Sequence, residues 1–394
     1  TGIWIMVFQN NLLMGAASTT GGTTGGQLWT WGMGFSGRLA DGTTTNKSSP
    51  VQVGSDEDWV SISTHGSNGI GGATRTDGTI WAWGRGRYGG LGQGSVENKS
   101  SPTQIGSDTD WFQIQQGNDT SYGLKTDGTL YFCGRNDKGQ GAQGDSENVY
   151  SSMTQIGSLT DWKGSVTQDD INGGFNTMAI ATNSAFFIKS DGTLWTWGNN
   201  ATGQLGQGDE TSRSSPVQIG SDTDWKWVSA TSYHVFAERT DGSIWGWGYN
   251  KDGQLGLGTS GSLNNKSSPV QLGSITDYKH FGAGHLTTTL IKADGTLWLC
   301  GENSYGQLGL GDTTDRSSPV QVGSDTDWHR CLPGEFMNGA TKTDGSIWVW
   351  GGNDSGNLGI GDTTNRSSPV QIGSDTDWGN NRGGSAYSSN IRGL

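Results

Sequence analysis

Carboxylates, histidines and cysteines are the side chains with which this sequence could do chemistry. Acid-rich turns recur along it, at Asp56–Glu57–Asp58, Asp108–Thr109–Asp110, Asp222–Thr223–Asp224, Asp325–Thr326–Asp327 and Asp375–Thr376–Asp377. Calcium takes about six to eight oxygens from one flexible loop, and a two-acid tip supplies too few. The second acid also stands at Asp161 and Asp277. An acid that recurs in every unit points to turn geometry, because Asp caps its own turn. His65, His234, His280, His285 and His329 fall at unequal places, and no pair has metal-ligand spacing. The cysteines, Cys133, Cys300 and Cys331, are odd in number. Cys133 and Cys300 stand where other units have the second Trp of W-x-W, which reads as a small buried hydrophobe. No nucleophile elbow, phosphate loop or H-E-x-x-H stretch occurs. The expectation is a protein that is not an enzyme and needs no cofactor or metal.

One place is individual. Trp162 and Trp195 are separated by about 13 residues more than the matching pair in most units, within KGSVTQDDINGGFNTMAIATNS. Loops held on a rigid scaffold carry function. This one is either a tolerated surface loop or a contact loop, with Asp169, Asp170, Asn172, Phe175 and Asn176 as the candidate binding residues.

The elements that must hold these residues follow from a period. An aromatic after Leu or Ile recurs at Trp29, Trp81, Tyr131, Trp195, Trp245, Trp298 and Trp348. A second recurs after Asp, at Trp59, Trp111, Trp162, Trp225, Tyr278, Trp328 and Trp378. A period near 50 residues with short strands reads as a propeller blade. D-G is a hairpin turn, the alternating L-W-x-W is a strand, and S-P-V-Q is a short strand with Pro at its start. The basic residue before S-S-P, as in Lys47, Arg213 and Arg366, is expected to pair with an acid of its own unit.

Glycine is abundant, at 69 residues, and only 30% of residues are hydrophobic. The 19 Trp supply the core that such a composition otherwise lacks. Net charge is −13, which argues against a nucleic-acid partner. No apolar run is long enough to span a membrane. Sequons such as Asn46-Lys47-Ser48 fall in turns where Asn and Ser are expected anyway.

The motif D-G-x-[LI]-W-x-W-G followed by N-x-x-G-Q-L-G resembles the regulator of chromosome condensation repeat over residues 25–394. The resemblance implies an all-β, seven-bladed β-propeller. Residues 1–24 stand outside the repeats as an anchor or linker, with Trp4, Phe8, Leu12 and Leu13 as candidate anchors. The stretch from Met6 resembles the short anchor of marine bacteriophage virion proteins that carry such propellers. Spacing predicts that residues 386–392 pair with Leu28–Gly32, so that both termini close the ring. Strand parity puts the D-G and S-D-T-D turns on one strongly acidic face. It puts the insertion on the opposite face. These readings lead to a non-enzymatic interaction module on a virion, as capsid decoration or fibre head. Its partners would be other virion proteins and a host receptor or glycan. The alternative is a cytoplasmic exchange factor for a small GTPase, the activity for which the family is named.

Overall fold

In the computed structural model the described residues are 2–7, 12–17, 26–65, 69–146, 148–163, 177–230, 232–273 and 277–374. They form an all-β propeller. Among them no helix is longer than a 3-10 turn of three residues.

Each regular unit is an antiparallel, four-stranded sheet. The first sheet departs from this. It has eight strands: β1 (Gly2–Val7), β2 (Leu12–Ala17), β3 (Gly26–Gly32), β4 (Lys47–Gln52), β5 (Trp59–His65), β6 (Ile70–Arg75), β7 (Ile80–Gly84) and β8 (Lys99–Gln104). Four-stranded sheets follow, beginning with β9 (Trp111–Gln116), β10 (Thr120–Lys125), β11 (Leu130–Gly134) and β12 (Tyr150–Gln155). The described strands thus fall into six sheets, which corrects the expected seven. The reason is local: Gly26 at the start of β3 pairs with Trp59 at the start of β5, and this joins two repeats into one sheet.

Closure by the C-terminus is not confirmed. Residues 386–392 lie outside the described residues, and β3 has no edge left for them. One edge is taken by β4, and the other by β2, with Leu13 opposite Trp29. A strand has only two hydrogen-bonding edges, so the nearer segment satisfies it. First and last repeats meet instead through packing. Gly361 N–H donates to Ser48 O at 3.0 Å, the same bond that Gly208 makes to Ser267 and Gly258 to Ser317.

The strands that begin with D-W are the inner ones, because they touch from one sheet to the next. Ser63 Oγ donates to Gln115 Oε1, and Cys331 N–H donates to His280 Nδ1. The S-S-P strands lie outside and are half-exposed. Of the two aromatics in W-x-W the second is the core residue. Trp31, Trp83, Trp197, Trp247 and Trp350 are fully buried, whereas Trp195 and Trp245 are half-buried. The buried indoles reach the preceding repeat: Trp247 Nε1 donates to Gln204 O, Trp350 to Gln307 O, and Trp31 to Asn357 O across the seam of the ring. Cys133 and Cys300 replace two of these indoles. Their Sγ atoms point at the matching carbonyls, Gly90 O and Gln254 O. Both are buried and free, as is Cys331.

Candidate functional site

The acidic face is built from two turns per repeat. At the D-G turn, Gly takes a positive φ, 82° at Gly242, which L side chains rarely adopt. Asp77 Oδ1 accepts the backbone N–H and the hydroxyl of Thr79, and Thr79 Oγ1 in turn accepts Trp81 Nε1 at 2.9 Å. The same relay runs through Asp191, Thr193 and Trp195. The Thr hydroxyl first, and the backbone N–H next, hold Asp77 and Asp191 below the usual carboxylate range.

The second turn supplies a clamp. Arg75 lies over the rings of Trp59 and Trp81, at 4.2 and 4.1 Å, and pairs with Asp56 and Asp58. Lys125 repeats this with Asp108 at 2.8 Å and Asp110 at 3.0 Å, over Trp111 and Tyr131. Arg239 and Lys342 do the same in their units. Burial disfavours the Lys125 charge, but the hydrogen bonds it donates to the two aspartates prevail and raise its pKa. The acids are therefore ligands of the chain's own cations. Among the described residues no group of three His, Cys, Asp or Glu could hold a metal ion. The cations before S-S-P are also paired within their units, Arg213 with Asp209 and Arg366 with Asp362.

One repeat breaks the pattern. Its sheet is β13 (Met178–Ile180), β14 (Ser184–Ile188), β15 (Leu194–Gly198) and β16 (Arg213–Gln218). The inner strand starts normally, with Trp162 bridged to Lys189 and Lys163 N–H donating to Ile188 O. It resumes only at Thr177, whose carbonyl accepts Ile188 N–H and whose hydroxyl donates to Lys163 O. The insertion therefore opens where other units have a one-residue bulge, as between Trp225 and Trp227. Both of its ends stand next to Asp161 and Lys189, on the acidic face. The face predicted for the insertion falls on residues 164–176, which lie outside the described residues. The leader's β2 also ends here, with Ala16 opposite Gly26.

Beside this foot lies an open cleft of about 330 Å³, lined by Phe112, Lys125, Asp127, Trp162 and Lys163 among others. Gln113 stands next to Phe112 on the same inner strand. It is 2% exposed, and neither of its amide atoms has a partner among the described residues. Sequence reasoning did not single out Phe112, Gln113 or Lys163. Their signal was positional: they occupy the start of the inner strands that flank the broken metre. Asp169, Asp170, Asn172, Phe175, Asn176 and Phe8 lie outside the described residues. Trp4 is on β1, and Leu12 and Leu13 are on β2.

The buried thiols and three of the imidazoles are held in their neutral forms. Burial pushes the Cys133, Cys300 and Cys331 thiols up to about 12. Burial also lowers His234 and His280 to about 3 and His329 to about 4. No described helix is long and apolar enough to cross a membrane.

The sequence profile of the regulator of chromosome condensation (RCC1) repeat matches residues 25–68, 77–124, 191–237, 241–291, 294–329 and 344–378. The chain belongs to the RCC1 repeat family. The profile passes over residues 125–190, the stretch that holds the insertion. Over 200 residues, 49% of this chain, the RCC1-type chain is 28% identical to the human E3 ubiquitin-protein ligase HERC2, of which it spans 4%. Over 74% of the chain it is 27% identical to the mitochondrial RCC1 domain-containing protein RUG3 of Arabidopsis thaliana, spanning 65% of it. Among solved structures, yeast RCC1 (Prp20) bound to Kap60 superposes with a TM-score of 0.76 at 18% identity, over 90% of this chain and 85% of that one. Human WBSCR16 gives 0.75 at 20% identity, over 88% and 94%. These likenesses show the fold. The relatives are cellular proteins and lend no support to the virion reading of the leader.

Proposed function

We propose that this RCC1-type propeller is a non-enzymatic binding module whose acidic face receives a protein partner, with residues 164–176 making the selective contact. The observation that carries this is the break in the inner strand beside the Phe112–Lys163 cleft. Four repeats spend their acidic turns on the same clamp, and the repeat of Lys189 and Asp161 adds a segment at that very place. A basic partner fits the face, since the carboxylates outnumber the cations that clamp them and such an attraction weakens with salt. A relative of the same fold, Prp20p, is described by its binding to histones.

Core histones are a suitable basic probe. Binding measured by interferometry is expected for the intact chain, falling as salt rises. A variant in which Lys163 is joined directly to Thr177 should fold and bind more weakly. Equal binding by that variant would remove the role of the insertion. Fluorescent GDP bound to a small GTPase should be released no faster in the presence of the protein, and acceleration would overturn the non-enzymatic reading.

A further inference from the structure

The far face of the ring, with the G-Q-L-G loops, carries a different assembly. Tyr249 and Tyr233 have ring centroids 5.6 Å apart, and Tyr233 is 5.4 Å from the His285 ring. Phe336 continues the arc at 6.2 Å from His285, and Tyr305 ends it at 5.1 Å from Phe336. Tyr305 is 37% exposed, and Tyr233, Tyr249 and Phe336 are half-buried. The rings are not needed by the repeat. The place of Tyr305, just before the loop glycine, is Thr202, Asp252 and Ser355 in three other repeats, while the Tyr that stands there in another, Tyr88, lies under Arg87 and Arg135 of this chain. A feature required by the blade recurs in every blade, and among the described residues this arc occurs once.

Carboxylates stand beside it, Asp252 and Glu302 being near enough to Tyr249 to act on its hydroxyl. Asp252, Glu302 and Asp315 are close enough to act on one another electrostatically, with the exposed Lys251 as the cation among them. Burial first, and the neighbouring acids next, raise both Asp252 and Glu302. Glu302 Oε1 accepts the Ser304 hydroxyl, while its Oε2 is shielded from solvent with no partner among the described residues. On the acidic face this chain joins two rings to two carboxylates in order to hold a Lys or Arg. Here rings and carboxylates recur on the outside of the ring, at a place where a cation can arrive from another molecule.

We infer that this patch, running from Asp252 and Glu302 along the aromatic arc to Tyr305, docks a basic peptide segment by seating an arginine or lysine side chain between its rings and carboxylates. Cation–π attraction and charge complementarity act together there. The site is on the face opposite the one discussed above and stands or falls separately.

The test uses the full chain and a fluorescein-labelled dodecapeptide of alternating arginine and serine, with citrulline in place of arginine as the uncharged control. Anisotropy should show the arginine peptide binding about tenfold or more tightly than the citrulline peptide. Tyr305→Ala and Glu302→Gln should each weaken it severalfold, Tyr305→Phe should retain it, and Asp56→Asn on the acidic face should leave it unchanged. Melting curves identify any variant that fails to fold, and for such a variant free methylguanidinium as competitor against the intact chain replaces it, with displacement expected. Equal binding of both peptides overturns the inference. So does loss through Asp56→Asn with the Tyr305 and Glu302 variants intact, or failure of methylguanidinium to displace the peptide.

Discussion

The repeat that begins at Trp225 and the one that begins at Trp162 answer the same structural demand differently. In the first, the inner strand runs unbroken from Trp225 to Ala230, and one bulged residue, Lys226, reaches Glu238 at 3.0 Å. Trp227 Nε1 bonds the same Glu238. In the second, residues 164–176 separate Lys163 from Thr177, which stands in the place of Trp227, with Ile188 in the place of Glu238. The polar trio is gone. The Trp–cation–Asp clamp is kept, as Trp162, Trp195, Lys189 and Asp161. The comparison teaches that the clamp holds a blade together and the bulge is where a blade can be altered at little cost.

Acid should break the comparison most strongly. His234 and His280 are buried and neutral, with pKa values near 3, well below the ordinary value near 6.5. A depressed pKa gives stability that is whole above the unfolded value and lost as pH falls toward the folded one. Hydrogen exchange at pH 4 should open strands His234–Arg239 and Tyr278–Ala283 before Ser184–Ile188, whose repeat contains no histidine. Uniform protection would sink the claim. The capped aspartates of the D-G turns, also held low, add to the loss below about pH 4.

Next in size, Trp247→Ala and Trp197→Ala should each cost about 3–5 kcal/mol in denaturant unfolding, as for deleting a fully buried aromatic. Their half-buried neighbours Trp245 and Trp195 should cost less. Equal losses would mean that the two faces of this strand are not distinguished. A smaller effect is expected at the clamp. Arg239→Ala and Lys189→Ala should each cost about 1 kcal/mol, since each removes a cation–π contact and an ion pair to carboxylates that are themselves about 40% exposed. If only Arg239→Ala does so, the clamp beside the insertion is not working as in the regular repeat. The least effect belongs to joining Lys163 to Thr177. Removing residues 164–176 shortens the chain between two paired strand segments and should shift stability by less than about 1 kcal/mol. A collapse of the melting transition would show that the segment is part of the core.

Much of the blade was legible because its signals are local. D-G demands a positive φ, W-x-W alternates, and Asn at the loop head satisfies its own backbone: Asn200 Oδ1 accepts Leu205 N–H and its Nδ2 donates to Asp209 O. The acidic face and the buried cysteines could be read the same way. The clamp could not, because Arg75 meets Asp56 and Asp58 across two strands of a sheet. The far-face arc was hidden for the same reason. Tyr233, His285 and Phe336 are about 50 residues apart in sequence and lie side by side only because successive repeats are neighbours.

The repeat length, the strand periodicity and the turn chemistry were determined by the sequence itself, since each depends on contacts within a few residues. Which tryptophan of each pair is buried and which segment takes the free edge of Gly26–Gly32 were decided only in the tertiary structure. Those outcomes depend on competition between distant segments for one surface or one hydrogen-bonding edge, and a linear pattern does not rank the competitors.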